Sequence, residues 1–132
     1  MAYPPIIFSY FFIGENDMAI ALGEKIYKRA VDNGEYQASM LVKASIARAC
    51  IYANRSEYAE ELLNEVLEYS QKTDYGWGMY YALFGFALKY YLEGNYEESR
   101  DKINDAIIAA KRHGFSPINA SPFILEMLRI ID

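Results

Sequence analysis

The amino-acid sequence predicts an all-α fold: a solenoid of three helix-turn-helix repeats followed by one further helix. Three observations carry this. Apolar residues recur with the helical period, no stretch alternates convincingly with period two, and the chain resembles itself at an offset of 40 residues. The clearest helical stripe lies in "SEYAEELLNEVLEYSQKT", residues 56–73. There Ala59, Leu62, Leu63, Val66, Leu67 and Ser70 take the i, i+3, i+4, i+7, i+8 spacing of one buried face.

Sliding the chain along itself aligns the punctuation. Gly14 maps onto Asn54 and Gly94, and Gly34 onto Asp74 and Gly114. Between these marks Ala19 maps onto Ala59 and Ser99, Ile26 onto Val66 and Ala106, and Ala30 onto Ser70 and Ala110. In the other half of the unit, Ile6 maps onto Ile46 and Phe86, Ile7 onto Ala47 and Ala87, and Tyr10 onto Cys50 and Tyr90. Each unit is therefore a first helix, a short turn, and a second helix that stops at Gly34, Asp74 or Gly114. The whole chain forms one domain, with repeats at about 1–34, 35–74 and 75–114 and a terminal helix at about 121–132.

The elements follow in order. "PPIIFSYFFIG", residues 4–14, holds about half the apolar residues a membrane span needs. No Lys or Arg precedes Lys25, so it lacks the positive n-region of a signal peptide. It reads as the first helix of repeat one, with Pro4 and Pro5 at the N-terminus where proline is tolerated. The first helices of repeats two and three are expected at about 35–53 and 77–93. "YGWGMYY", residues 75–81, reads as a loop in which the glycines make the turn and Trp77 wedges between repeats. Second helices open with acids (Glu15/Asp17, Glu57/Glu60, Glu97/Glu98) and close with bases (Lys28/Arg29, Lys72, Lys111/Arg112/His113), which complements the helix dipole. Asn95 followed by Glu98 has capping-box spacing, and Gly34 and Gly114 suit a left-handed C′ position. Ser121-Pro122 reads as an N-cap and first residue opening "FILEMLRIID".

Bulk properties narrow the function classes. The chain of 132 residues is 53% hydrophobic and 23% charged, as a folded domain with its own core would be. Net charge is −5 and no cluster of five basic residues occurs, so nucleic acid is not an expected partner, nor is a membrane. The single cysteine, Cys50, sits in an apolar stretch like a core thiol, and the expected location is cytoplasmic. No metal-ligand spacing and no glycine-rich phosphate loop is present, so no cofactor is expected. His113, the one histidine, reads as a helix-end cap rather than a catalyst. Nothing assembles a catalytic constellation, and an enzyme is not expected.

The repeat units resemble the tetratricopeptide-repeat (TPR) superfamily. Repeat three, "ALFGFALKYYLEGNYEESRDKINDAIIAAKRHG", is the closest match, with Phe86, Ala87, Tyr90, the "GNY" turn, Ser99, Ile103 and Ala106. Repeat two follows with Ile46, Ala47, Cys50, Ala59, Leu63 and Val66, and repeat one with Ile6, Tyr10, Gly14 and Ala19. Gly23 departs from the large apolar residue the family has there. The period exceeds the usual length of about 34 residues. It looks like the longer-helix variants of bacterial signalling proteins and of large maltose-regulator-type transcription activators.

The resemblance implies a right-handed superhelix with the first helices lining its concave face. In that register the concave residues are Phe8, Phe11 and Phe12, then Leu41, Ala44, Ser45, Arg48, Ile51 and Tyr52, then Tyr81, Phe84, Leu88, Tyr91 and Leu92. Leu41, Ala44 and Leu88 read as core. The candidate binding face is Phe8, Phe11, Phe12, Arg48, Tyr52, Tyr81, Phe84 and Tyr91, residue types that dominate interface hot spots. The Lys and Asn that grip a partner's C-terminal carboxylate in some TPRs are missing. The expected function is therefore protein–protein interaction, as a scaffolding, sensory or regulatory segment of a signalling or transcription-regulatory protein. The alternatives are homodimerisation through the groove or end faces, and sensing of an apolar small-molecule effector by the aromatic wall.

Overall fold

The structure is a computed structural model that describes residues 16–115. These form five helices: α1 (Asn16–Asp32), α2 (Tyr36–Tyr52), α3 (Ser56–Thr73), α4 (Gly76–Leu92) and α5 (Tyr96–Arg112). None of the described residues is in a strand. Every consecutive pair of helices packs together, and α2 also packs on α4. Helices joined by such short turns fold back on one another as hairpins. The expected first helix at 4–13, its turn at Gly14 and the terminal helix at 121–132 lie outside the described residues.

One turn is used five times. Gly34 (φ 74°), Asn54 (65°), Asp74 (52°), Gly94 (81°) and Gly114 (79°) are all left-handed, at intervals of 20 residues. Around Gly34, its own N–H donates to the Val31 carbonyl (3.0 Å) and the Glu35 N–H to that of Ala30 (2.8 Å). The same pair recurs around Asn54, Gly94 and Gly114, and the outer bond recurs as Tyr75 N–H to Ser70 (2.8 Å). This is the Schellman geometry, which satisfies the last carbonyls of a helix. The residue after each of the first four left-handed positions (Glu35, Arg55, Tyr75 and Asn95) is also the N-cap of the next helix, so its N–H is already engaged. That overturns the capping box expected at Asn95. Asn95 is the N-cap of α5 but makes no side-chain cap bond, and its N–H donates to the Tyr90 carbonyl at 2.9 Å. Glu98 has no N–H there to receive.

The two helix classes differ in burial. The second helices α1, α3 and α5 bury one stripe: Ala19, Ala59 and Ser99 are 0% exposed, as are Ala30, Ser70 and Ala110. Small residues at these positions let the first helices approach closely. In α2 and α4 the buried residues run almost continuously, from Ala44 to Ile51 and from Phe84 to Lys89. A helix that is apolar all round is one enclosed by neighbours.

The segment 75–81 departs from expectation. It is not a loop, because α4 begins at Gly76, and its glycines serve packing instead of turning. A Cβ on Gly76 would lie 2.4 Å from the His113 ring, and one on Gly78 would lie 2.0 Å from Ser70 Oγ. Further along, a Cβ on Gly85 would meet Leu63 at 2.4 Å. Trp77 does not wedge between repeats; it is 43% exposed and stacks on Phe115 (3.9 Å between ring centres, 10° between planes). Among the described residues, no helix is long and apolar enough to cross a membrane.

Candidate functional site

The contact between α2 and α4 brings part of the expected face together. Arg48, on the fourth turn of α2, is buried, and the titratable side chains that act on its guanidinium are Tyr52, Tyr81 and Tyr80. Burial lowers the Arg48 pKa from its ordinary value, and the neighbouring phenols partly counter that. Tyr52 and Tyr81 are half-buried. Burial pushes the Tyr52 hydroxyl up to about 12 and raises that of Tyr81, with Arg48 opposing in both cases. Both phenols are therefore neutral at ordinary pH and offer ring faces with a polar tip. Tyr91, also half-buried, completes the group: it acts on Tyr52 and packs against Tyr96 with ring centres 5.5 Å apart.

Of the eight expected residues, then, Arg48, Tyr52, Tyr81 and Tyr91 cluster. Phe84 does not belong to the surface. It is 1% exposed and packed edge-on against Tyr80 at 4.4 Å, so a partner could reach it only by unpacking the core. Arg48, at 5% exposed, likewise acts from beneath the tyrosines and not as a rim charge. Phe8, Phe11 and Phe12 lie outside the described residues. Leu41, Ala44 and Leu88 are core, as their positions suggested.

Two lysines missed in the sequence reading hold the tyrosine-bearing helices in place. Lys43 of α2 pairs with Glu65 of α3 and sits over the Tyr27 ring of α1, 4.7 Å from its centre. Lys89 of α4 reaches Glu93 (2.8 Å) and Glu60 of α3 (3.6 Å) and lies 4.9 Å from the Tyr90 ring centre. Burial pulls both ammonium groups down, but the acids outweigh it and both pKa values end raised. The available signal was their position: single lysines inside otherwise apolar first helices.

Other candidate chemistry is structural. The Cys50 thiol is buried, and burial pushes it up to about 11, so it is not a thiolate nucleophile near neutrality. The His113 ring spans α5 and the end of α3, with Nδ1 2.9 Å from the Ala109 carbonyl oxygen and Nε2 3.1 Å from Asp74 Oδ1. Among the described residues no group of three or more His, Cys, Asp or Glu could hold a metal ion. Open grooves among the described residues include one of about 620 Å³ beside Tyr36, Tyr69 and Tyr75, one of about 520 Å³ beside Arg55 and Tyr58, and one of about 410 Å³ between Asp74, Met79 and Arg112. Comparison with known protein families, with curated proteins and with solved structures finds no match for this chain.

Proposed function

We propose that this domain is a protein-interaction module built as a TPR-like, right-handed solenoid of three repeats. Its concave face offers Tyr52, Tyr81 and Tyr91, seated over the buried Arg48, to an apolar or amphipathic segment of a partner. The domain serves as the regulatory or scaffolding part of a signalling or transcription-regulatory protein. The observation that carries this reading is the cluster itself: three half-buried tyrosines from two first helices, adjoining one buried cation. Tyrosine rings lose little conformational entropy on binding and combine apolar area with a hydrogen-bonding tip, which is why such residues anchor interfaces. The regular left-handed turns and the Lys43 and Lys89 contacts supply the rigidity that a preformed face needs.

The test is selection of displayed helical peptides against the purified chain. The reading expects apolar, amphipathic sequences to be enriched. Their affinity should fall about tenfold or more in Tyr81→Ala and Tyr91→Ala, with helical circular dichroism retained, and hold in the outer-face control Glu61→Ala. Absence of enrichment, or enriched peptides that bind both tyrosine variants as well as the parent, rejects it.

A further inference from the structure

The edge of the molecule at the Gly34 and Asp74 turns bears tyrosines that the repeat itself does not require. A groove of about 620 Å³ lies there between the start of α2 and the α3–α4 junction, lined by Glu35, Tyr36, Gln37, Tyr69 and Tyr75. One repeat further on, Gly76 stands for Tyr36, Ala109 for Tyr69 and Phe115 for Tyr75. The corresponding helices still pack together there. Glycine and alanine serve that packing, so the three hydroxyls answer to something other than the repeat. The groove is also preformed. The Glu35 N–H is tied to the Ala30 carbonyl (2.8 Å), Ser39 Oγ donates to the Tyr36 carbonyl (2.6 Å), and the Tyr75 N–H donates to that of Ser70 (2.8 Å).

The hydrogen-bonding capacity of this groove is lopsided. Three phenol O–H groups and the Gln37 amide can donate, and among the described residues none of them pairs with a protein group. Burial raises the Tyr75 hydroxyl above its ordinary value, with Tyr81 and Tyr69 adding to the effect, so it keeps its proton to donate. The one charge in the lining is the carboxylate of Glu35. A helical ligand spends its carbonyls internally and matches such a donor-rich surface poorly. A strand brings an N–H for every carbonyl. A run of prolines brings carbonyls with no N–H, holds them outward in a polyproline II helix without internal bonds, and offers apolar ring faces to aromatic side chains.

We propose that the Tyr36–Tyr69–Tyr75 groove binds a proline-rich, polyproline II segment of a partner, with a Lys or Arg beside the prolines facing Glu35. The phenols donate to the proline carbonyls, the pyrrolidine rings lie on the tyrosine faces, and no backbone N–H of the ligand is left buried without an acceptor. The inference goes beyond the concave-face reading and stands without it. Tyr91 of that face is at the opposite end of α4 from Tyr75, so the two sites can be disabled separately.

The probe is a labelled, end-blocked oligoproline peptide with one terminal lysine, titrated with the full chain and followed by fluorescence anisotropy. Saturable binding is expected. Tyr36 is 56% exposed, so Tyr36→Ala should keep its helical circular dichroism while affinity falls about tenfold or more. Tyr69→Phe, which keeps the ring and loses the donor, should weaken binding by a smaller factor. Glu35→Gln should weaken it and flatten its decline with added salt. Tyr96→Ala, a similarly exposed tyrosine at the start of α5, and Tyr91→Ala should leave it unchanged. Alanine at every second proline of the peptide restores backbone N–H groups and should reduce affinity for the parent protein. No saturable binding, a helical Tyr36→Ala protein that binds as the parent does, or an alanine-substituted peptide that binds equally well overturns the proposal.

Discussion

The first helices α2 and α4 and the second helices α1, α3 and α5 are nearly equal in length and end in the same turn, yet they do different work. Eleven residues of α2 and eleven of α4 are buried, against five in each second helix. The second helices keep a polar outer face and a narrow inner stripe in which small residues are interspersed with Ile, Leu and Val. The first helices are enclosed, and their few half-buried side chains include Tyr52, Tyr81 and Tyr91. Burial on this scale makes the first helices both the core and the support of the candidate face. A substitution there carries a stability cost that must be measured before any binding effect is interpreted.

The comparison breaks most sharply at Phe84. As a fully enclosed aromatic, Phe84→Ala should cost about 3–5 kcal/mol in chemical denaturation, enough to unfold a marginal domain. A loss below about 1 kcal/mol would mean that the ring stands on a surface and that the first helices are not a core. A smaller effect tests how the two classes meet. Gly78→Ala places a methyl 2.0 Å from Ser70 Oγ where α3 crosses α4. Overpacking of this kind costs about 1–3 kcal/mol, against roughly 1 kcal/mol gained in helix propensity. Ser70→Ala removes that oxygen, which finds no hydrogen-bond partner among the described residues, so it should be near neutral alone and should restore part of the loss in the double variant, the Tyr75 ring at 2.9 Å keeping the remainder.

How much of this was legible follows from what periodicity encodes. The left-handed residues 34, 54, 74, 94 and 114 stood out because glycine, asparagine and aspartate tolerate that conformation, and their spacing marked every helix end. The buried stripes of the second helices were legible for the same reason: Ala59, Leu63 and Val66 repeat with the helical period. What the chain could not show was the environment of helices that are apolar on every side. There the period vanishes, and a surface phenylalanine looks like an enclosed one. Phe84 and Tyr81, three residues apart, were placed on the same face, and only packing against Tyr80 separates core from rim. The glycines at 76 and 78 misled in the same way. Glycine marks a turn or a close approach equally well, and nothing local tells that Ser70 and His113 would arrive there.

The tyrosine face carries a pH signature of its own. Tyr52 has its pKa raised from 10.0 to about 12 by burial, so its neutral form is favoured in the folded state. A raised acid of this kind contributes stability in full below the unfolded value and loses it as pH climbs through the folded one. The thermal midpoint should therefore decline between about pH 10 and 12, and Tyr52→Phe should make that decline shallower while leaving the midpoint near neutrality little changed. Cys50, raised from 9.0 to about 11, adds a second component that begins about one unit lower and persists in the Tyr52 variant. An unchanged alkaline slope in Tyr52→Phe would place that hydroxyl in water.

The smallest effects belong to charges, and they divide along the same line. Lys72 and Glu68 pair at 3.0 Å on the outer face of α3, with both side chains about 70% exposed. A double-mutant cycle on such an i, i+4 pair should return about 0.3–0.5 kcal/mol, falling as salt is added. Lys89 is only 11% exposed and holds two acids, Glu60 on α3 and Glu93 just past the end of its own helix α4. Removing Glu60 alone leaves the shorter Glu93 contact in place, so Glu60→Gln should stay under about 1 kcal/mol, whereas Lys89→Met, which strands neither acid in the interior, should cost little more. What should distinguish the inner pair is its salt response, since a partly desolvated lysine is less screened than the exposed one. Equal salt sensitivity for the two pairs would mean that Lys89 is as well solvated as Lys72, and the enclosure of α4 would then stop short of its last turn.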